Sequence, residues 1–235
     1  MSLSNPSEKS QNPSTRWFDW NGEKGIISYY DKDKKVIVPV PLPFTFILLD
    51  ELATVRGWDE LSKSGIYSNE VKDTRTDILT VKAFKGGTIA EGLYRDIKDR
   101  VNSKGGSYSS NCYLAFKGDD GLVTGVLRFK GAALGAWMDF KKNGGRAFTE
   151  KAVTIDGTVE GKKGRVTFYV PKFSLMTISA ETLSAAVDLD KELQEYLKGY
   201  LAHNRKDQAE FHSQERPDAD DGTDFPTDDD LPANF

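Results

Sequence analysis

Short apolar runs alternate with polar positions over most of this chain, and turn residues punctuate them at close intervals, the pattern of a protein built mainly from strands. The first aromatic cluster, Arg16-Trp17-Phe18-Asp19-Trp20, is where structure is expected to begin, with Asn21-Gly22 as a turn. Gly25 to Tyr30 and Val36 to Val40 then read as a hairpin across the charged loop 31–35. Pro39, Pro41 and Pro43 donate no amide hydrogen bond, so this segment suits a sheet edge. Strands are predicted at Phe44 to Leu49, Gly65 to Val71 and Ile78 to Phe84, with Trp58 in the connection between the first two.

The period then changes. Ile89, Leu93, Ile97 and Val101 recur every four residues, which predicts an amphipathic helix closed by Gly105-Gly106. Strands resume at Tyr108 to Phe116 and Leu122 to Phe129. Gly131 to Phe140 reads as a short helix, and Lys151 to Val159 with Arg165 to Val170 as a second hairpin. Glu181 to Ala202 carries Leu183, Val187, Leu193, Leu197 and Leu201 on one stripe, the strongest helical pattern in the chain. The expected fold is mostly β: a small barrel of the oligonucleotide-binding (OB) type, with one inserted and one C-terminal helix. Residues 1–15, rich in Ser, Asn and Pro, are expected to form a disordered arm, 16–203 the folded domain, and 204–235 a disordered acidic tail.

Charge changes the picture. The 235 residues carry a formal net charge of −4. From Gln214 onward eight acidic residues face one basic residue, so the tail is −7 and the remainder +3. A mildly basic body is attached to its own polyanion.

Several chemistries are poorly provided for. The one cysteine, Cys112, permits no internal disulfide, and the first sixteen residues hold no apolar run of the kind a secretory leader needs. A reducing, cytoplasmic setting is the expectation, without a membrane span. His203 and His212 both fall at or beyond the end of the last predicted helix, where no rigidly oriented base for a Ser or Cys nucleophile is expected. One Cys and two His do not make a thiolate–imidazole zinc site, so no metal and no cofactor is predicted. Asp31 and Asp33 read as a solvated loop, and Gly157 to Lys163 lacks phosphate-loop spacing.

What remains is a repeated aromatic, lysine and glycine combination. Phe84-Lys85-Gly86, Phe116-Lys117-Gly118 and Phe129-Lys130-Gly131 each end a predicted strand. With the phenylalanines inward, alternation sets the three lysines on one outer surface. Arg128, Lys141, Lys142, Arg146 and Arg165 extend it, and Tyr29, Tyr30, Trp58, Tyr67, Phe84 and Tyr94 are candidates for stacking. Aromatic faces that stack on bases, beside cations that follow phosphates, suit single-stranded nucleic acid, with DNA and RNA undistinguished.

The last eight residues are Asp228, Asp229, Asp230, Leu231, Pro232, Ala233, Asn234 and Phe235. An acidic run followed by an aliphatic, a proline and a terminal phenylalanine resembles the C-terminal tip of bacterial and bacteriophage single-stranded DNA-binding proteins. The matching positions are Asp228, Asp229, Asp230, Leu231, Pro232 and Phe235. In the bacterial tip proline and phenylalanine are adjacent, whereas here Ala233-Asn234 separates them, a departure that favours a phage-encoded protein with partners of its own. The resemblance implies a non-catalytic protein of replication or recombination whose tail recruits partner proteins and competes with DNA for the basic body. Two other readings stand beside it: a carbohydrate- or protein-binding β-sandwich, and a metal-dependent nuclease or other replication enzyme.

Overall fold

The computed structural model describes residues 11–214, with side chains to residue 204. Eleven strands and three α-helices make up this part. β1 (Arg16–Asn21), β2 (Ile26–Asp31) and β3 (Val36–Val40) form an antiparallel meander, as the Asn21-Gly22 turn and the loop at 31–35 predict. β4 (Phe44–Asp59) is far longer than the six residues expected, because Leu52, Thr54 and Arg56 keep alternating with Ala53, Val55 and Gly57 past a bulge between Leu48 and Asp50. Trp58, expected in a connection, is therefore a strand residue. β5 (Ser64–Ser68), β6 (Leu79–Ala83) and β7 (Gly87–Gly92) follow.

The predicted helix from Ile89 divides in two. Ile89 and Ala90 belong to β7, Gly92 takes a positive φ that ends the strand, and α1 (Tyr94–Ser103) buries only Ile97 and Val101. Apolar spacing by fours ran across a strand–helix junction. β8 (Gly106–Lys117), β9 (Leu122–Lys130) and α2 (Gly131–Gly144) lie where expected, with a 3₁₀ turn at Gly145–Thr149. β10 (Lys151–Lys163) and β11 (Val166–Thr177) form a longer hairpin than predicted, and α3 runs from Ala180 to Gln214.

The strands form a single mixed sheet in the order β3-β2-β1-β9-β8-β4-β5-β6-β7, with β10–β11 attached to the first part of β4. Among the described strands only β1 and β9 pair in parallel. The ladder ends at β3 and β7, which do not pair, so the sheet stays open and the closed barrel expected from the element order does not form. The long β4 is the reason: it takes β10 beside Phe44–Phe46 and β5 beside Arg56–Asp59, spreading the sheet at both ends.

One face of the sheet is thickly covered. Phe18, Phe46, Leu114, Phe116, Leu127 and Phe129 pack beneath α2, whose Trp137 is fully buried, and Val55, Ile66 and Val81 pack beneath α1. Among the described residues the opposite face is covered by α3, through Ala186, Leu193 and Leu197. Val187, expected on that stripe, is exposed instead. Among the described residues no helix is long and apolar enough to cross a membrane.

Candidate nucleic-acid interface

Among the described residues α3 covers one half of its sheet face and leaves the other half bare. Three neighbouring strands change character at the boundary. Along β4 the outward positions run Leu52, Thr54, Arg56, Trp58; along β9, Val126, Arg128, Lys130; along β8, in the opposite direction, Tyr113, Asn111, Ser109, Ser107. Leu52, Val126 and Tyr113 pack against Leu193 and Leu197 of α3. Beyond them the same rows turn cationic and aromatic, flooring an open groove of about 890 Å³ lined by Arg56, Trp58, Ser107, Arg128, Lys130, Asp19 and Ile37. The groove continues past Lys130 into a cleft of about 370 Å³ walled by Phe168 and Tyr169 of the β10–β11 hairpin.

The geometry has a local cause. Backbones approach so closely at the mouth that a Cβ on Gly57 would lie 2.1 Å from the Gly105 carbonyl oxygen, and one on Gly105 would lie 2.3 Å from that of Trp58. Glycines alone allow this, and the approach seats Trp58, whose amide donates to the Gly105 carbonyl at 3.3 Å. Trp58 remains 51% exposed.

Two arginines sit on the floor. Arg128 donates from Nε to Asn111 Oδ1 at 3.1 Å and from a terminal nitrogen to Asp19 Oδ1 at 3.1 Å. Asn111 is held in turn by the buried Glu70 carboxylate, which also accepts from the Tyr113 hydroxyl at 2.6 Å. Arg56 is less well satisfied: its Nε is buried without a hydrogen-bond partner among the described residues. Burial, and then the like charge of Arg128, lower its pKa from the ordinary guanidinium value, although it stays protonated at neutral pH. An anion placed between two such groups relieves both costs.

The end of α3 joins the same network. Tyr200 accepts from the Glu70 amide at 2.9 Å, and Asn204 donates to the Glu70 carbonyl at 3.5 Å. α3 is thus fastened to the residue that holds Asn111 and, through it, Arg128, and it runs on from there to Gln214.

The sequence-predicted residues divide. Trp58, Arg128 and Lys130 line the groove. Tyr67 pairs with Arg56 in the β4–β5 register and so stands on the same face. Phe84, 76% exposed at the end of β6, lies there as well, because its amide extends the ladder to Gly65. Tyr30 occupies this face near the outer edge, opposite Ile37. Lys85 sits in the turn at the tip of the β6–β7 hairpin, and Arg165 at the tip of β10–β11.

Lys117 lies at the far end of the sheet, on an apolar cleft with Pro39, Pro41 and Pro43. Lys141 is on the other face, paired with Glu51 and placed over Trp137, and Lys142 and Arg146 follow it there. The expected alignment of Lys85, Lys117 and Lys130 thus does not occur. β8 and β9 are antiparallel, so strand-end motifs on them fall at opposite ends of the sheet, and Phe84 is not inward at all. Tyr29 and Tyr94 are engaged elsewhere, against Phe18 and Tyr108 respectively. The tip residues Asp228, Asp229, Asp230, Leu231, Pro232 and Phe235 lie outside the described residues.

Arg56, Lys82, Asp19 and Ile37 were missed by sequence reasoning. The alternation Leu52-Thr54-Arg56-Trp58 within a β-branched stretch is the signal that points to Arg56. Compared with protein families, curated proteins and solved structures, the chain finds no match.

Proposed function

We propose that the protein binds single-stranded DNA along the bare half of this sheet face, without catalysing a reaction on it. The observation that carries the reading is the Arg56–Arg128–Lys130 floor, incompletely neutralised, bordered by the exposed rings of Trp58 and Tyr67. Phosphates track the cations and unpaired bases stack on the rings, which needs no fixed sequence. In OB-type barrels a strand face carries the oligonucleotide, and the reading gives the bare half of this open sheet that role.

The acidic tail fits the same scheme. It follows a helix that Tyr200 and Asn204 fasten to Glu70, and the −7 segment begins where α3 ends, ten residues or about 15 Å of helix beyond that contact, from where it can reach the cations it would screen. In this account DNA displaces the tail, and the freed Asp228–Phe235 tip recruits replication or recombination proteins in the cytoplasm of a host cell.

The test is a titration of the full chain with oligo-dT and with duplex of equal length at two salt concentrations, followed by tryptophan fluorescence. Oligo-dT is expected to quench, to bind tighter than duplex, and to weaken linearly in log salt. A chain lacking residues 214–235 should bind tighter, most so at low salt. No oligo-dT binding at low salt would refute the assignment.

A further inference from the structure

At the outer end of the groove face, Trp58, Gly65 and Phe84 form one cross-strand row. Trp58 is the β4 partner of Gly65, and the Phe84 amide donates to the Gly65 carbonyl at 3.0 Å. Both rings are exposed, and a Cβ built on Gly65 would meet nothing within 4 Å. In the next row Arg56, Tyr67 and Lys82 stand side by side on the same face, with Tyr67 two residues from Gly65 along β5. The surface is therefore a notch over a glycine, with an aromatic ring on each of three sides and two cations behind it.

We infer that this notch is a seat for one unpaired nucleobase, a deepening that rests on the single-strand reading above. Size supports it: Trp58 and Phe84 are two strand spacings apart, about 9.5 Å. A flat ring between two others in van der Waals contact needs about 7–8 Å, which leaning side chains supply. Charge supports it too, since Arg56 and Lys82 border the notch where the phosphates flanking a seated base would lie. The glycine is essential to the argument, because any side chain at residue 65 fills the seat without touching the cations. A paired base has both faces stacked and cannot enter, so the notch selects single strands.

Gly65 has no positive φ and lies in a strand, so Gly65→Val is tolerated by the backbone while it blocks the notch. The experiment compares oligo-dT with an abasic oligonucleotide of the same length on the full chain. Wild type is expected to bind oligo-dT about tenfold more tightly than the abasic strand. Gly65→Val should remove that difference at an unchanged salt slope, and Phe84→Ala should do the same should the valine variant fail to fold. Unchanged oligo-dT affinity in the two variants, with Arg128→Ala still weakening binding, overturns the seat and leaves the groove standing. A wild-type chain that binds neither oligonucleotide overturns both.

Discussion

Two halves of one sheet face, built on the same strands, have opposite fates. Under α3 the outward positions are Leu52, Tyr113 and Val126, all fully buried against Leu193 and Leu197. A few residues along, the outward positions are Arg56, Arg128 and Lys130, with Trp58 left half exposed. Apolar area removed from water stabilises the first half. The second half gathers like charges and exposed rings, and among the described residues Arg56 Nε is buried without a hydrogen-bond partner. On the proposed reading, an anionic strand is what relieves these costs.

The comparison is sharpest in stability. Leu197→Ala removes a buried side chain and is expected to destabilise the fold by about 2–5 kcal/mol in chemical denaturation. Trp58→Ala in the bare half, at a half-exposed position, should cost clearly less, on the order of 1 kcal/mol. Equal losses at both positions would erase the distinction between the halves. The next effect is on affinity. Arg128→Ala is expected to weaken oligo-dT binding by about 1.5–3 kcal/mol and to reduce the log–log salt slope by about one, read from titrations at several salt concentrations. A slope that does not change would mean that Arg128 meets no phosphate. Smallest is Asp19→Asn, which frees Arg128 from an exposed ion pair worth under about 1 kcal/mol. A gain of a few-fold in affinity is expected at low salt, fading as salt rises, and a loss instead would make Asp19 a positioning group for Arg128.

Much of the fold was legible from local pattern. The β2–β3 hairpin, β8, β9, α2 and α3 follow from alternation, turn residues and helical spacing read in short windows. What failed depended on longer range. β4 looked six residues long because its bulge breaks the alternation at Leu48–Asp50, and that hid Arg56 and made Trp58 look like a loop residue. Ile89 fell into a helical period only because a glycine junction happens to keep the spacing. The interface itself needs register. Arg56 on β4 and Arg128 on β9 share a floor because β8 lies between them with Ser107 and Asn111 in step, and no window of sequence contains that fact. Motifs repeated in sequence, such as Phe-Lys-Gly, do not cluster in space when their strands run in opposite directions.

The four tryptophans divide the molecule in a way that tests the account with its own internal control. Trp58 lies in the bare groove, while the fully buried Trp137 donates its indole N–H to Glu51 beneath the other face. The measurement is the set of indole N–H resonances in a ¹⁵N-labelled full chain during titration with oligo-dT. The account predicts that the Trp58 signal moves or broadens most, in proportion to saturation, while the Trp137 signal stays fixed. A Trp58 signal that stays in place at saturation, or a Trp137 signal that moves as far, would contradict it.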